Sequence, residues 1–448
     1  MKKNMITTIL ATIMAFSSLA LGGCGGGDKD VVRIARWGGE TDKVKFQAWT
    51  QEFMAENPDI KVEWEFKDFS THFSTLRNDL IGESAADIIF LNNWGLTRLN
   101  LQEKDKAMFV DLAKVDALTQ TRNSIIASAR DRMTVGDSVI GIPVGLVTRV
   151  PVINATIWES VSTNVLPDGI PYNKTEAFTG AEFTNLMRSV GSDQNILMGL
   201  NVSLNEALHM FLASVDAPLI TQDGEIGCNN PAGWAAAQQF QDFATSGWVI
   251  PYSETGGGTY GDVENAILNE KCLAGWANFA TLTNLSDYYN SSNQKIATIA
   301  PFKAADITLK NGLDNVAGTA DDNTTIEAKD IAYGDYNALV VPSFSKHQDQ
   351  AFRIINWMLS KEEQLQYGKM ADIPVNVEAN NVVMNNLDGE WDPTLYSSYK
   401  IGLDNLYLAP VTSSEFSNHF TAYFKNLCNG SISGKVFCQK MAEGEKYL

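Results

Sequence analysis

Three short sets of side chains in this sequence could grip a polar ligand, and each directly follows a segment that reads as a β-strand. Trp37 with Gly38, Gly39 and Glu40 is the first, Asp68 with Phe69 the second, and Asn92-Asn93-Trp94 the third. An indole face stacks on the apolar C–H face of a sugar ring, while Asp, Glu and Asn exchange hydrogen bonds with its hydroxyls. Residues that would break or transfer bonds are scarce. There is no His-Glu-x-x-His, no Gly-x-Ser-x-Gly and no Walker loop. The four histidines (His72, His209, His347, His419) neighbour no obvious nucleophile. Gly256-x-Gly258-x-x-Gly261 has the form of a dinucleotide fingerprint, but Pro251-Tyr252-Ser253-Glu254-Thr255 before it is no strand, so a loop is expected. Asp321-Asp322-Asn323 with Glu327 lacks the twelve-residue spacing of a calcium loop and reads as acidic surface. A glycoside-cleaving carboxylate pair has no fixed spacing, so a secreted glycan-active enzyme stays open as an alternative. No metal and no cofactor is implied.

The elements that must position these residues alternate strand and helix. Val31 to Trp37 is a strand that Gly38-Gly39 terminates. Val44, Phe46, Trp49 and Phe53 then recur at near-helical spacing up to Asn57-Pro58. Ile60, Val62, Trp64 and Phe66 alternate with Lys61, Glu63 and Glu65, the pattern of a half-buried strand. Phe73, Leu76 and Leu80 mark a second helix, and Asp87-Ile88-Ile89-Phe90-Leu91 is an apolar run suited to a strand buried on both faces. This β-α-β-α-β order predicts a parallel or mixed sheet covered by helices. Its strand ends carry all three candidate sets, where α/β proteins place ligands. Further on, helices are expected at 205–215, 231–246, 261–270, 349–359, 361–369 and 413–427. Strands are expected around 139–144, 149–153, 272–276, 296–300 and 336–341. Residues 303–332, rich in Asp, Asn and Thr with an Asn311-Gly312 turn signal, read as a surface hairpin or loop insertion.

The first residues carry an address. Lys2 and Lys3 precede an apolar run from Met5 to Leu21, and Leu21-Gly22-Gly23-Cys24 follows. The run is short and a cleavage site follows, so it reads as a secretory signal peptide rather than a spanning helix. Its ending resembles a bacterial lipobox, which implies that Cys24 becomes the lipidated first residue. Residues 1–23 would then be signal peptide, and 24–30 a flexible tether that begins Gly25-Gly26-Gly27. The expected location is extracytoplasmic and membrane-anchored, in a periplasm or on a cell surface.

The chain has 34 Lys plus Arg against 53 Asp plus Glu, a formal net charge of −19 that falls to −21 without Lys2 and Lys3. That balance argues against nucleic acid or an anionic lipid surface as a partner. Four cysteines follow Cys24: Cys228, Cys272, Cys428 and Cys438. An even number in an exported chain suggests disulfides with three possible pairings. Cys428–Cys438, which closes a short loop and leaves Cys228–Cys272, is preferred. A zinc site fails on spacing, with no Cys-x-x-Cys or nearby histidine cluster.

Taken in order, Trp37-Gly38-Gly39, Phe53, Asn57-Pro58-Asp59-Ile60-Lys61-Val62 and Ala86-Asp87-Ile88-Ile89 resemble the opening of the family 1 extracellular solute-binding proteins, which feed carbohydrate ABC importers. Similar stretches continue through Gly141-Ile142-Pro143-Val144, Gly247-Trp248-Val249, Gly275-Trp276, Tyr336 to Ser343, Ala351-Phe352-Arg353, Trp357 and Ile373-Pro374-Val375, so the resemblance spans about residues 31–445. It implies a type II periplasmic-binding-protein fold: two α/β lobes joined by hinge strands, with ligand clamped in the interlobe cleft. Lobe one would hold 31–145 and 333–371, and lobe two 150–302 and 373–448, with crossings near Val144–Val150, Pro301 and Asp372. Site residues carried over by position are Trp37, Gly38, Glu40, Asp68, Asn92, Asn93 and Trp94, then Trp276 as a stacking platform, Asn278, Gly334 and Asp335. Where the family often has a tyrosine–asparagine pair after the first crossing, this chain has Val152-Ile153-Asn154. The implied partners are a small carbohydrate, separate permease subunits and a separate ATPase, with the binding protein a monomer. Rival ligands are a polyamine or other cationic solute, suited to the acidic balance, and ferric ion, suggested by Tyr288-Tyr289.

Overall fold

A computed structural model describes residues 30–448 apart from 100, 102, 131, 157–174, 192–199, 202–203, 222, 250–273, 280–281, 283–294 and 409–411. Strand β1 (Asp30–Trp37) leads into helix α1 (Glu40–Glu56), β2 (Ile60–Lys67), α2 (Phe69–Ile81), β3 (Ile88–Asn92) and α3 (Asn93–Leu99). The 14-residue strand β4 (Gly141–Asn154) comes next, then β5 (Leu200–Asn201), α4 (Leu204–Ser214), α5 (Pro231–Ala244), β6 (Ala274–Asn278) and β7 (Ile296–Thr298). After the β8–β9 hairpin (Ile307–Leu309 and Thr324–Ile326), β10 (Tyr333–Val340) returns along the sheet. Helices α6 (Gln348–Met358) and α7 (Lys361–Met370), strands β11 (Ile373–Pro374) and β12 (Tyr407–Leu408), and helices α8 (Ser414–Cys428) and α9 (Gly434–Glu443) complete the frame.

These elements form one ten-stranded mixed sheet in the order β2-β1-β3-β10-β4-β6-β5, with β7 and β11 pairing β4 and β12 pairing β10. β1 runs parallel to β2 and β3, as the β-α-β-α-β order requires, and β10 enters antiparallel between β3 and β4. The expected strands at 139–144 and 149–153 are one strand here. Residues 141–148 of β4 pair with β10, and residues 149–154 pair with β6 and β7. Extended backbone continues straight through Thr148-Arg149, because β10 pairs the strand up to Thr148 and β6 takes over at Arg149.

Local patterning explains most boundaries. β3 (Ile-Ile-Phe-Leu-Asn) is buried at every position, as a strand covered on both faces must be. Asn57 and Pro58 end α1. Asn230 caps α5 by accepting from the Gly233 N–H at 3.0 Å, with Pro231 in the first turn. One large core packs Phe183, Phe211, Phe240 and Phe243 between α4, α5, α8 and α9. A second packs α1, α6 and α7 on one face of β1–β3 and β4, and a third fills the space under α2 and α3 on the other. Residues 303–332 do form a hairpin, yet Ile307 and Leu309 are buried in the first core. Its connection runs from 310 to 323 rather than turning at Asn311-Gly312. The loop is held by backbone N–H donors: Leu313 to Asp321 at 2.7 Å and Gly318 to Asp322 at 2.7 Å. Among the described residues no helix is long and apolar enough to cross a membrane.

Candidate functional site

The site begins where β1 ends. Alternation along β1 turns Val32, Ile34 and Arg36 to one face. Arg36, almost fully buried, lays its guanidinium 4.1 Å from the Phe46 ring centroid and donates to the Trp37 carbonyl at 2.8 Å. Trp37 faces the other way, with its ring centroid 5.6 Å from Phe69, 5.5 Å from His72 and 5.1 Å from Phe73. It keeps partial exposure. Gly38 has φ +153°, and a Cβ there would lie 2.8 Å from an Asp42 carboxylate oxygen, so the β1–α1 turn needs glycine. Glu40 is exposed at the first turn of α1, near Lys43 Nζ at 3.4 Å.

Two of the expected ligand residues are helix caps. Asp68 accepts from the Thr71 N–H at 3.0 Å, and its side-chain and backbone hydrogen bonds with Thr71 hold its carboxyl below the usual range. Asn92 accepts from the Gly95 N–H at 2.8 Å at the start of α3. Asn93 goes further. Its N–H donates to Asp335 Oδ1 at 3.2 Å, joining two of the expected ligand residues that stand 242 positions apart. Tyr336 N–H donates to the same oxygen at 2.7 Å. The Trp94 side chain lies outside the described residues.

Strand register assembles the rest. Asp335 pairs with Val147, Gly334 with Thr148, and Arg149 with Asn278. Directly paired residues share a face, so Asp335, Arg149, Asn278 and Trp276 line one side of the β10-β4-β6 strip. Above that row, Arg149 and Glu206 of α4 form an ion pair at 2.7 Å, with side-chain exposures of only 10% and 8%. Trp276 Nε1 donates to the other Glu206 oxygen at 2.7 Å. Burial raises the Asp335 carboxyl to about 6; the Tyr336 and Asn93 N–H donors and Arg149 pull it down, and Glu206 pushes it up. Tyr333, at the start of β10, stacks on His209 with centroids 5.0 Å apart, and His209 stacks on Tyr407 at 5.6 Å. Burial holds the His209 imidazole neutral, with its pKa down to about 4. Between α7 and β11, Asp372 accepts from the Tyr367 hydroxyl at 2.6 Å and from Asn337 Nδ2 at 2.7 Å. Burial raises its carboxyl above the ordinary value.

The chain thus brings Asn93, Gly334, Asp335 and Asn278 together around Arg149 and Glu206. Trp276 differs from its expected posture. It is 1% exposed, and its ring lies flat against Phe302 at 5.4 Å and 9°, so in this structure it packs the core and orients Glu206. The preferred disulfide Cys428–Cys438 is not formed. Both are free thiols, and Cys438 turns from α9 toward the Gly233 carbonyl of α5. Cys24, Cys272, Tyr288, Tyr289 and Gly256 to Gly261 lie outside the described residues. Sequence reasoning missed Arg149, Glu206 and Tyr333. The signal was present for two of them: Arg149 is the lone charge in the apolar run Gly141–Asn154, and Glu206 the lone acid in the largely apolar helix α4.

The family model for bacterial extracellular solute-binding proteins matches residues 37–365. No curated protein matches the chain in sequence. Among solved structures, an ABC substrate-binding protein from Listeria monocytogenes in complex with cycloalternan has TM-score 0.66 at 15% identity, covering 94% of this chain and 98% of its own. The GacH receptor of Streptomyces glaucescens, solved unliganded and with acarbose, has TM-score 0.67 at 15% identity, covering 93% and 97%. Maltose-bound MalE3 from T. maritima has TM-score 0.68 at 14% identity, covering 93% and 99%. At these identities the likeness shows the fold, an α/β architecture of the maltose-binding-protein type.

Proposed function

Because the chain belongs to the bacterial extracellular solute-binding protein family, we propose that it captures a sugar or oligosaccharide outside the cytoplasm and delivers it to the permease of an ABC importer. The observation that carries this reading is the match, over more than nine-tenths of the chain, to structures solved with cycloalternan, acarbose and maltose. The ligand would lie between lobe one (31–145 and 333–371) and lobe two (150–302 and 373–448). Asn93, Asp335, Asn278 and Arg149 would meet its hydroxyls, Trp37 would offer a ring edge or face, and Gly38, Glu40, Asp68, Asn92, Trp94 and Gly334 would shape the lobe-one wall. Trp276 would act through Glu206. Lobe motion would bend β4 at Thr148-Arg149, where its partners change from β10 to β6. Cys24 would carry the lipid anchor, the protein would act as a monomer, and it would bind without catalysis.

A thermal-shift screen of the protein lacking residues 1–24 tests this against mono- and oligosaccharides, polyamines and ferric citrate. A cleft ligand at one hundred times its dissociation constant adds about 2.7 kcal/mol, which raises the melting temperature by several degrees. A shift with one saccharide class and no product is the expected result. Shifts with polyamines or iron alone would overturn the carbohydrate reading, and saccharide consumption would identify an enzyme.

A further inference from the structure

Three cysteines lie in the core built by α4, α5, α8 and α9, and two of them lie against the same residue, Gly233. Cys228, just ahead of α5, and Cys438, in α9, are both fully buried. Cys438 Sγ lies 3.6 Å from the Gly233 carbonyl oxygen, and the Cys228 thiol is near enough to push the Cys438 thiol up. Gly233 itself folds back on Cys228, since a Cβ there would stand 2.1 Å from the Cys228 oxygen. The helices that carry this contact are locked at close range. Gly434 opens α9 against the α5 backbone, where a Cβ would meet Gln238 N at 2.4 Å and Trp234 O at 2.7 Å. Its N–H donates to Gln238 Oε1 at 3.1 Å. Cys428 has no such neighbour among the described residues; burial alone pushes its thiol up, to about 12.

We propose that Cys228 and Cys438 join as a disulfide when the chain folds in an oxidising compartment, tying α9 to α5. The chemistry is exchange with an incoming disulfide, carried by a dithiol oxidase or an oxidised small thiol. One cysteine thiolate attacks that disulfide, forming a mixed disulfide and expelling one thiolate. The second cysteine attacks the mixed disulfide and expels the other. Two S–H protons pass to the two leaving thiolates, and the electron pair reduces the incoming disulfide. Because both sulfurs are closed off in the folded core, exchange precedes its closure. The bond spans about two hundred residues of chain, so it restricts the unfolded state far more than a short Cys428–Cys438 loop would.

The experiment compares the protein exported into an oxidising periplasm with the same chain made in a reducing cytosol. Each is denatured in alkylating reagent and peptide-mapped. The exported protein is expected to yield one linked pair, the Cys228 peptide with the Cys438 peptide. Alkylation of both residues, or a bond from either to Cys272 or Cys428, overturns the proposal. A second readout is melting with and without reductant. The exported wild type and Cys428→Ser should each lose roughly 5 °C or more on reduction, and Cys228→Ser/Cys438→Ser should lose nothing. An equal loss in that double variant overturns it too, and the wild-type map decides alone should the variant fail to fold. Ligand binding enters neither measurement.

Discussion

Replacing Arg149 by Met removes one charge of the Arg149–Glu206 pair while keeping most of the side-chain volume. The pair is 2.7 Å apart and about nine-tenths buried, so Glu206 is left in a poorly solvated site. Breaking a buried pair by deleting one partner costs about 3–5 kcal/mol. A ceiling exists, because the stranded acid can take up a proton. Protonating an ordinary glutamate costs about 4 kcal/mol at pH 7.5 and about 1 kcal/mol at pH 5. Glu206 also keeps the Trp276 N–H at 2.7 Å, which softens the loss. Arg149→Met should therefore destabilise by about 3 kcal/mol at pH 7.5 and by about 1 kcal/mol at pH 5.

The double variant Arg149→Met/Glu206→Gln should recover most of that loss, because no charge is then stranded and the amide oxygen still accepts from Trp276. Urea unfolding followed by tryptophan fluorescence at both pH values measures these two variants and the single Glu206→Gln as a double-mutant cycle. A loss under 1 kcal/mol at pH 7.5 would refute the reasoning. So would an equal loss at both pH values, or a double variant as damaged as the sum of the singles.

Asp335→Asn keeps an oxygen for the Asn93 and Tyr336 N–H donors but removes a carboxyl whose folded pKa, about 6, lies above the ordinary 3.8. The folded state thus binds this proton more tightly than the unfolded chain does, and wild-type stability declines as pH rises from about 4 to 6. The variant should lose that slope and be level with wild type or more stable by about 1–2 kcal/mol at pH 7.5, which melting temperature against pH reads directly. A slope unchanged by the substitution would mean that another group carries it. Gly145→Ala places a Cβ 2.6 Å from Tyr367 and 2.7 Å from Asp372 Cβ, side chains pinned to each other by a 2.6 Å hydrogen bond. It should cost about 1–3 kcal/mol in urea unfolding. Gly39→Ala, with nothing within 4 Å, should be close to neutral, and equal losses at the two glycines would contradict the packing argument.

The elements legible in the sequence are those whose burial pattern is local. β2 alternates and β3 is apolar up to its closing Asn92, so both could be read from composition within a few residues, and the structure has them at Ile60–Lys67 and Ile88–Asn92. β4 was harder because its period carries no information: thirteen of its fourteen residues are buried on one face or the other, and the polar pair Thr148-Arg149 imitates a break. The Arg149–Glu206 pair was illegible as a pair, since β4 and α4 meet through a helix–sheet contact that leaves no periodic mark. Each residue was still conspicuous alone, because an isolated charge in an apolar element must find a partner or pay the full cost of desolvation.

The residues flagged from strand ends raise a sharper difficulty. A β-to-α junction needs a side chain to satisfy the first free N–H groups of the helix, and Asp and Asn are the best residues for that task. Ligand recognition at the same edge of the sheet asks for the same two residues. Asp68 and Asn92 follow β-strands and begin helices, and both direct an oxygen at their own helix, toward Thr71 and Gly95. Their types and positions alone could not separate the two roles. Asn93 and Asp335 escape the ambiguity through long-range pairing. β3 lies against β10 in a register that sets Asn92 opposite Asn337, and this brings the Asn93 N–H onto the Asp335 carboxylate. Asp335 takes up the first N–H of α3 from a different strand, and it sits half-buried beside Arg149 and Glu206 with its carboxyl raised to about 6, so its place is not set by its own chain neighbours. Asp335→Asn, which keeps an oxygen for both N–H donors, is the substitution that should separate binding from folding, whereas changes at Asp68 and Asn92 also remove a helix cap.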